Sequence, residues 1–474
     1  MIGERVEHPS YGPGIVLAAY RSGSELLVRF ESGMRFRRPR REFVGQSPRA
    51  QKPTSSYSAP APMPRSQLDT RRLIEALRFG VAPAAHLREL TIGLAAERES
   101  VIAALNESHE TGGAVRAVLG EYGYGKSHLV ELSAQEALAR GFLVSSVSLD
   151  LLELPPHRAF DIYRELLHGL RTPDRDERGL GPLLERSTKL GLSARLRENS
   201  QLELDPLLLG LDVLANAPSN RQQAAWRSWL MGGRRTKLMN KVTPKELKFP
   251  TIYKVGHNAR QIAYLLSGIS VLARLAGYSG LCVLVDEAES YSLLRAQQRP
   301  KAGLFFAAMI HAAHSGTGTA SGERSQPIIN EGSLPQHRLR DYPASYGAGQ
   351  SLFFLFAVTR SENQLPLEEW LSTDEILQLD PHPRAQEVAE FLRQVQEYHA
   401  QAYGYGPGER QDQLRRAAAE QLALAAERKR LSIRGLVRLS VELLDLAYLH
   451  PDYQVADLQG ELQSFVTGTG QAPP

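Results

Sequence analysis

Residues 120–127, GEYGYGKS, carry the densest chemistry in the chain. They fit G-x-x-x-x-G-K-[ST] at every required position, and they stand between the apolar run AVRAVL (114–119) and a helix-forming stretch. Glycines at 120, 123 and 125 let the backbone wrap a phosphate chain, so that main-chain N–H groups and the next helix N-terminus point at negative charge. Lys126 then bridges the β- and γ-phosphates, and Ser127 places its hydroxyl on Mg²⁺. Glu121, Tyr122, Tyr124 and His128 complete the nucleotide-binding positions, with ATP and Mg²⁺ as the expected ligands. The alternative is a glycine-rich strand-to-helix turn without nucleotide. The glycine spacing, the GKS tripeptide and the context all speak against it.

A P-loop needs a carboxylate for its metal, and LCVLVDEAES (281–290) supplies one. Five apolar residues end in Asp286 and Glu287, a Walker B pattern. At the carboxyl edge of a strand adjacent to the P-loop, Asp286 holds Mg²⁺ and Glu287 polarises the attacking water as general base. The competing reading is an acidic helix N-cap. The strand SLFFLFAV (351–358) runs into Thr359, Arg360 and Ser361, and Thr359 is the candidate polar sensor of the γ-phosphate. A capping threonine is its alternative. In LSIRGLVRLSVELLDLA, Arg434 lies near a helix start and can reach back to the γ-phosphate as a second sensor, with Arg438 one turn further in reserve. A solvated arginine is the plain alternative. Thr91, Ile92 and Gly93 precede a helix, where Ile92 either packs on adenine or simply marks the helix entry.

The elements that must position these residues are legible in outline. With 474 residues, 42% hydrophobic and 23% charged, the chain has room for two or three domains and a sizeable core. The runs at 114–119, 142–149, 281–285 and 351–358 read as strands buried on both faces of a parallel sheet, which makes the class α/β. Residues 68–380 form the expected P-loop core, and the helix-rich 381–474 a helical lid. Ahead of them, 1–45 alternate in short apolar runs like a small β-barrel and end in the arginine-rich RFRRPRREF, while 46–67 read as a Pro/Ser-rich linker.

One cysteine, Cys282, excludes an intrachain disulfide and a cysteine zinc cluster. No signal-peptide pattern and no long apolar run is present, so the expectation is a cytoplasmic protein without a membrane partner. A net charge of +4 permits an acidic partner without demonstrating one. Two other stretches bear on DNA. One is the unpatterned 315–350, expected to be disordered or to contact DNA or a neighbouring subunit. The other is 226–241, where Trp226 and Trp229 stand with Arg234, Arg235, Lys237 and Lys241 either as a stacking surface or as a half-buried helix. His311 and His314 lack a third ligand, and GYSGL (277–281) lacks the second glycine of a nucleophile elbow.

On RRLIEALRFGVAP, LTIGLAAERE, VLGEYGYGKSHLVEL, VLVDEAE and SIRGLVRL, residues 67–450 resemble the ATP-binding proteins of BREX-type phage-defence systems. The resemblance implies an AAA+-like core related to replication-initiator ATPases, self-association as a homo-oligomer, and action beside DNA and a helicase or other defence component. Arg295, Arg299, Arg338, Arg340 and Arg360 are the candidate arginine fingers. The HPSYGPG turn makes 1–45 similar to the Tudor-like (SH3-like) barrels of UvrD/PcrA-type helicases and CarD-like proteins, which implies a protein partner such as RNA polymerase. Two functions stand beside a hydrolysing ATPase: a nucleotide-gated scaffold that recruits partners through the barrel, and a polymerase-associated transcription factor.

Overall fold

The computed structural model describes residues 3–9, 12–20, 23–30, 35–43, 64–216, 219–234, 236, 237, 239, 252, 258–315, 329–337, 340–362, 364–379, 383–428 and 431–458. The chain divides into two compact units, Met1–Met63 and Pro64–Pro474.

In the first unit, β1 (Arg5–His8), β2 (Gly12–Tyr20), β3 (Glu25–Phe30) and β4 (Arg35–Pro39) form an antiparallel sheet in that order. Alternate residues of β3 are buried, the two-residue period of a strand with one covered face, and Leu26, Val28 and Phe30 meet Val6 and Val16 in a small core. A register shift between Val16 and Ala18 bends β2, which fits the small barrel expected here. The exposed Arg37 lies on the edge strand β4, pairs with Glu25 at 2.6 Å and stacks over Tyr20, so part of the arginine cluster is engaged within the sheet. Ser10 and Tyr11 of the HPSYGPG turn lie outside the described residues.

The second unit runs α1 (Arg65–Arg78), α2 (Ala95–Thr111), β5 (Gly113–Gly120), α3 (Lys126–Ala139) and β6 (Leu143–Ser148). Helices α4 (Ala159–His168), α5 (Gly181–Lys189), α6 (Ser193–Asn199), α7 (Pro206–Asn216) and α8 (Asn220–Leu230) follow, then α9 (Ala259–Leu275), β7 (Leu281–Asp286) and α10 (Arg299–His314). The chain continues through β8 (Leu352–Thr359), α11 (Leu367–Trp370), β9 (Ile376–Leu379), α12 (Ala385–Tyr403), α13 (Glu409–Glu427) and α14 (Ile433–Leu449). Five parallel strands stand in the order β6-β7-β8-β5-β9.

Every residue of β5 is buried, as a strand covered on both faces requires. One face carries α2 and α3, with Leu105, Leu129 and Leu132 against Val118, Leu284 and Leu355; the other carries the helices after β6, with α9 and α10. The buried Glu136 of α3 meets Arg98 of α2 at 2.6 Å and Arg88 at 3.2 Å, fixing the helix that follows the P-loop. A separate core joins Leu73, Ile74 and Leu77 of α1 to Phe391, Leu422, Leu436 and Val441 of α12–α14, so the first helix of the unit packs into the C-terminal lid.

The structure decides three points beyond the sequence reading. The Walker B strand β7 is not the neighbour of the P-loop strand: β8 lies between them, paired to both. The described part of 315–350 is packed rather than disordered, for Tyr342 and Tyr346 are buried and their rings meet Tyr264 at 5.7 and 4.9 Å. Trp226 and Trp229 are buried edge to face in the core around α8, so neither offers a ring for base stacking; Arg235 and Lys241 lie outside the described residues. No helix among the described residues is long and apolar enough to cross a membrane.

Candidate nucleotide-binding site

Strands β5, β7 and β8 are parallel, so their carboxyl ends converge, and Gly120 sits directly opposite Thr359 in the register. Two loop glycines are dictated by geometry. Gly123 has a φ of +82°, and a Cβ there would stand 2.9 Å from Ser432 Oγ in the lid; Gly120 has no room for one, since Leu379 Cβ would lie 2.9 Å away. Lys126 is buried and donates from Nζ to the carbonyls of Gly120 (3.1 Å) and Glu121 (3.0 Å). Burial pushes its pKa down, while the carboxylates of Glu289, Asp286 and Glu121 oppose the shift and Arg434 adds to it.

A cavity of about 350 Å³ is lined by Ile92, Tyr122, Gly123, Tyr124, Gly125, Lys126, Ser127, His128, Asp286, Glu287 and Arg434, together with Glu289. The structure thus brings most of the expected site residues into one depression. Gly120 and Glu121 reach it through their carbonyls on Lys126, and Thr359 through a hydrogen bond to Glu289. Its apolar end is built by Val81, Leu87, Leu90 and Leu94 with Ile433 and Val437 of α14. Ile92 belongs to the lid core while also facing this space. His128 stands 2.8 Å from Thr91 Oγ1, and burial lowers its pKa to about 4, which keeps the ring neutral at physiological pH.

The acidic side of the cavity is asymmetric. Burial raises the pKa of Asp286, and a hydrogen bond with Ser127 opposes that rise. Burial and the neighbouring Asp286 and Glu289 raise the pKa of Glu287, whose exposed side chain is hydrogen-bonded by Ser148 at the end of β6. Glu287 has φ +55°, the only positive value for a residue other than glycine among the described residues. Strain of this kind costs about 1–3 kcal/mol and concentrates at functional sites.

Sequence reasoning missed Glu289. Its Oε1 accepts from Thr359 Oγ1 at 2.6 Å and its Oε2 is buried with no hydrogen-bond partner among the described residues. The signal was present in DEAES, three residues after Asp286 on a tight turn, but only the fold aims it at the P-loop.

From the lid, the Arg434 N–H donates to the Gly123 carbonyl at 3.1 Å, and its guanidinium lies over the Tyr122 ring. Arg438 packs beside Gly80, one turn beyond. Among the other arginines, Arg295 is exposed, Arg299 donates to the Leu294 carbonyl, Arg340 to that of Leu204, and Arg360 to Gln378; Arg338 lies outside the described residues. His311 and His314 serve the fold, through the Ile329 carbonyl (2.8 Å) and Glu375 (2.7 Å). A second cavity, about 560 Å³ between α4 and α8, contains none of the motif residues.

A comparison with curated proteins finds no match. The family described as "BREX system ATP-binding protein BrxC/D" has a sequence model that matches residues 66–200, from α1 through the P-loop to α6. Over that segment the chain is similar to the ATP-binding proteins BrxC/D of the BREX system.

Proposed function

We propose that this chain binds ATP with Mg²⁺ between the P-loop and the lid, hydrolyses it to ADP and phosphate, and acts in BREX-type phage defence. The observation that carries the reading is the convergence of Lys126, Ser127, Asp286, Glu287 and Arg434 on one cavity. The Ser127 hydroxyl and Asp286 carboxylate, already hydrogen-bonded to each other, form a pair of hard oxygen donors that fits Mg²⁺. The ion supplies charge neutralisation on the phosphates when bound. The left-handed Gly123 and Gly125 leave the loop open to phosphate oxygens, and Lys126 exchanges its own loop carbonyls for them. The apolar end between Leu94 and Val437 takes the base, and Arg434 reaches the γ-phosphate. Glu287 accepts the proton of the attacking water.

The unit works as a homo-oligomer beside DNA and a helicase or another defence component, and residues 1–45 dock a protein, with RNA polymerase one candidate. Fluorescent-nucleotide titration and phosphate release test the core of this reading. Lys126→Ala abolishes ATP binding, whereas Glu287→Gln retains ATP and stops turnover. Unchanged ATP binding by Lys126→Ala removes the site, and unchanged turnover by Glu287→Gln removes the base.

A further inference from the structure

Asp286, Glu287 and Glu289 line the cavity that holds the P-loop lysine, and they are held differently. Asp286 is tied to Ser127 and Glu287 to Ser148, on the outer side of the site. Glu289 is tied to neither. The turn Ala288–Tyr291 carries it back under β8, where Thr359 holds one oxygen at 2.6 Å and leaves the other buried without a partner. Of the carboxylates around Lys126 it exerts the strongest pull, ahead of Asp286. A carboxylate oxygen that is buried and unpaired costs free energy unless something fills its place, and Glu289 is among the residues that line the cavity.

We propose that Glu289 is a catalytic residue of the hydrolytic step: Thr359 fixes its Oε1, and its Oε2 accepts a hydrogen bond from the attacking water. The inference rests on the ATP-hydrolysis reading above. A water molecule has two hydrogens, and two carboxylates take them. The one facing Glu287 is transferred as a proton when the water oxygen forms its bond to the γ-phosphorus. The one facing Glu289 stays on the oxygen and becomes part of the phosphate product. The bond from the γ-phosphorus to the bridging oxygen breaks, its electron pair leaves with ADP, and the proton on Glu287 is released to solvent. With both hydrogens held, a lone pair of the water points at phosphorus. Thr359 becomes a positioning residue that acts through Glu289, rather than a direct sensor of the γ-phosphate.

The test uses the full chain with Mg²⁺ and ATP, and compares wild type, Glu289→Gln, Thr359→Val and the double variant. Four quantities are read: turnover, the Kd of a fluorescent ATP analogue, the identity of the nucleotide bound after incubation, and the melting temperature. Glu289→Gln is expected to lower kcat by about tenfold or more, with Kd changed less than about threefold and ATP rather than ADP recovered. Thr359→Val lowers kcat in the same way, and the double variant is no slower than Glu289→Gln, because both act through one hydrogen-bonded unit. A merely structural Glu289 moves Kd and melting temperature together and gives multiplicative effects. A smaller loss in Glu289→Gln, or multiplicative effects of the two substitutions, overturns the proposal while leaving the ATPase reading intact. A wild-type chain that binds ATP without turning it over removes the ATPase reading and this proposal together. Should Glu289→Gln not fold, Thr359→Val decides alone, with the same thresholds.

Discussion

Arg434 of the lid stacks over Tyr122 of the P-loop, with its guanidinium carbon 5.0 Å from the ring centroid, while its own N–H is bonded to Gly123. One residue therefore grips the loop by main chain and side chain at once. The main-chain bond survives substitution, but the stack and the charge do not. Arg434→Ala is expected to weaken ATP binding about tenfold, the value of one charged hydrogen bond. It also speeds amide exchange at residues 121–125, whereas Ala at the neighbouring Arg438 leaves both unchanged. Titration and hydrogen-exchange mass spectrometry read the two effects, and equal affinity in Arg434→Ala and wild type removes the second-sensor role.

Glu287 stands in a left-handed conformation that glycine adopts freely. Relief of the strain is partly offset by the greater freedom of glycine in the unfolded chain. Glu287→Gly is thus expected to unfold at higher urea, with a net gain of about 1 kcal/mol, and to lose hydrolysis. A less stable Glu287→Gly would show that the backbone there is not strained.

Trp226 is fully buried against Trp229. Trp226→Ala should cost about 3–5 kcal/mol on urea unfolding through the cavity it leaves. The milder Trp226→Phe should leave affinity for single-stranded DNA unchanged in a polarisation assay, because the ring never meets the solvent.

Glu375 pairs with His314 at 2.7 Å, joining the end of α10 to the turn before β9. Burial alone would raise its pKa; the hydrogen bonds from His314 and Ser372 outweigh burial and bring it down to about 2. A depressed carboxylate pKa stabilises the fold above its ordinary value of 4.5 and loses that contribution as pH falls towards 2. The melting-temperature gap between wild type and Glu375→Gln should accordingly be wide at about pH 5.5 and narrow by about pH 3. A gap that widens on acidification would reverse the sign and exclude the pair as the cause.

The sequence alone determined the local chemistry. GEYGYGKS and DE at 286 and 287 are short, contiguous patterns whose backbone demands are met within a few residues, and the four apolar runs it marked are β5–β8. It did not yield β9, whose four residues ILQL are too short and too partly buried to show a period. Nor could it say that β8 stands between β5 and β7, since strand order follows from which crossovers pack helices on both faces. The packing of α1 into the lid, the burial of Trp226 and the aim of Glu289 at the P-loop belong to the tertiary structure for the same reason. Each depends on contacts between residues far apart in the chain, and no local pattern encodes those.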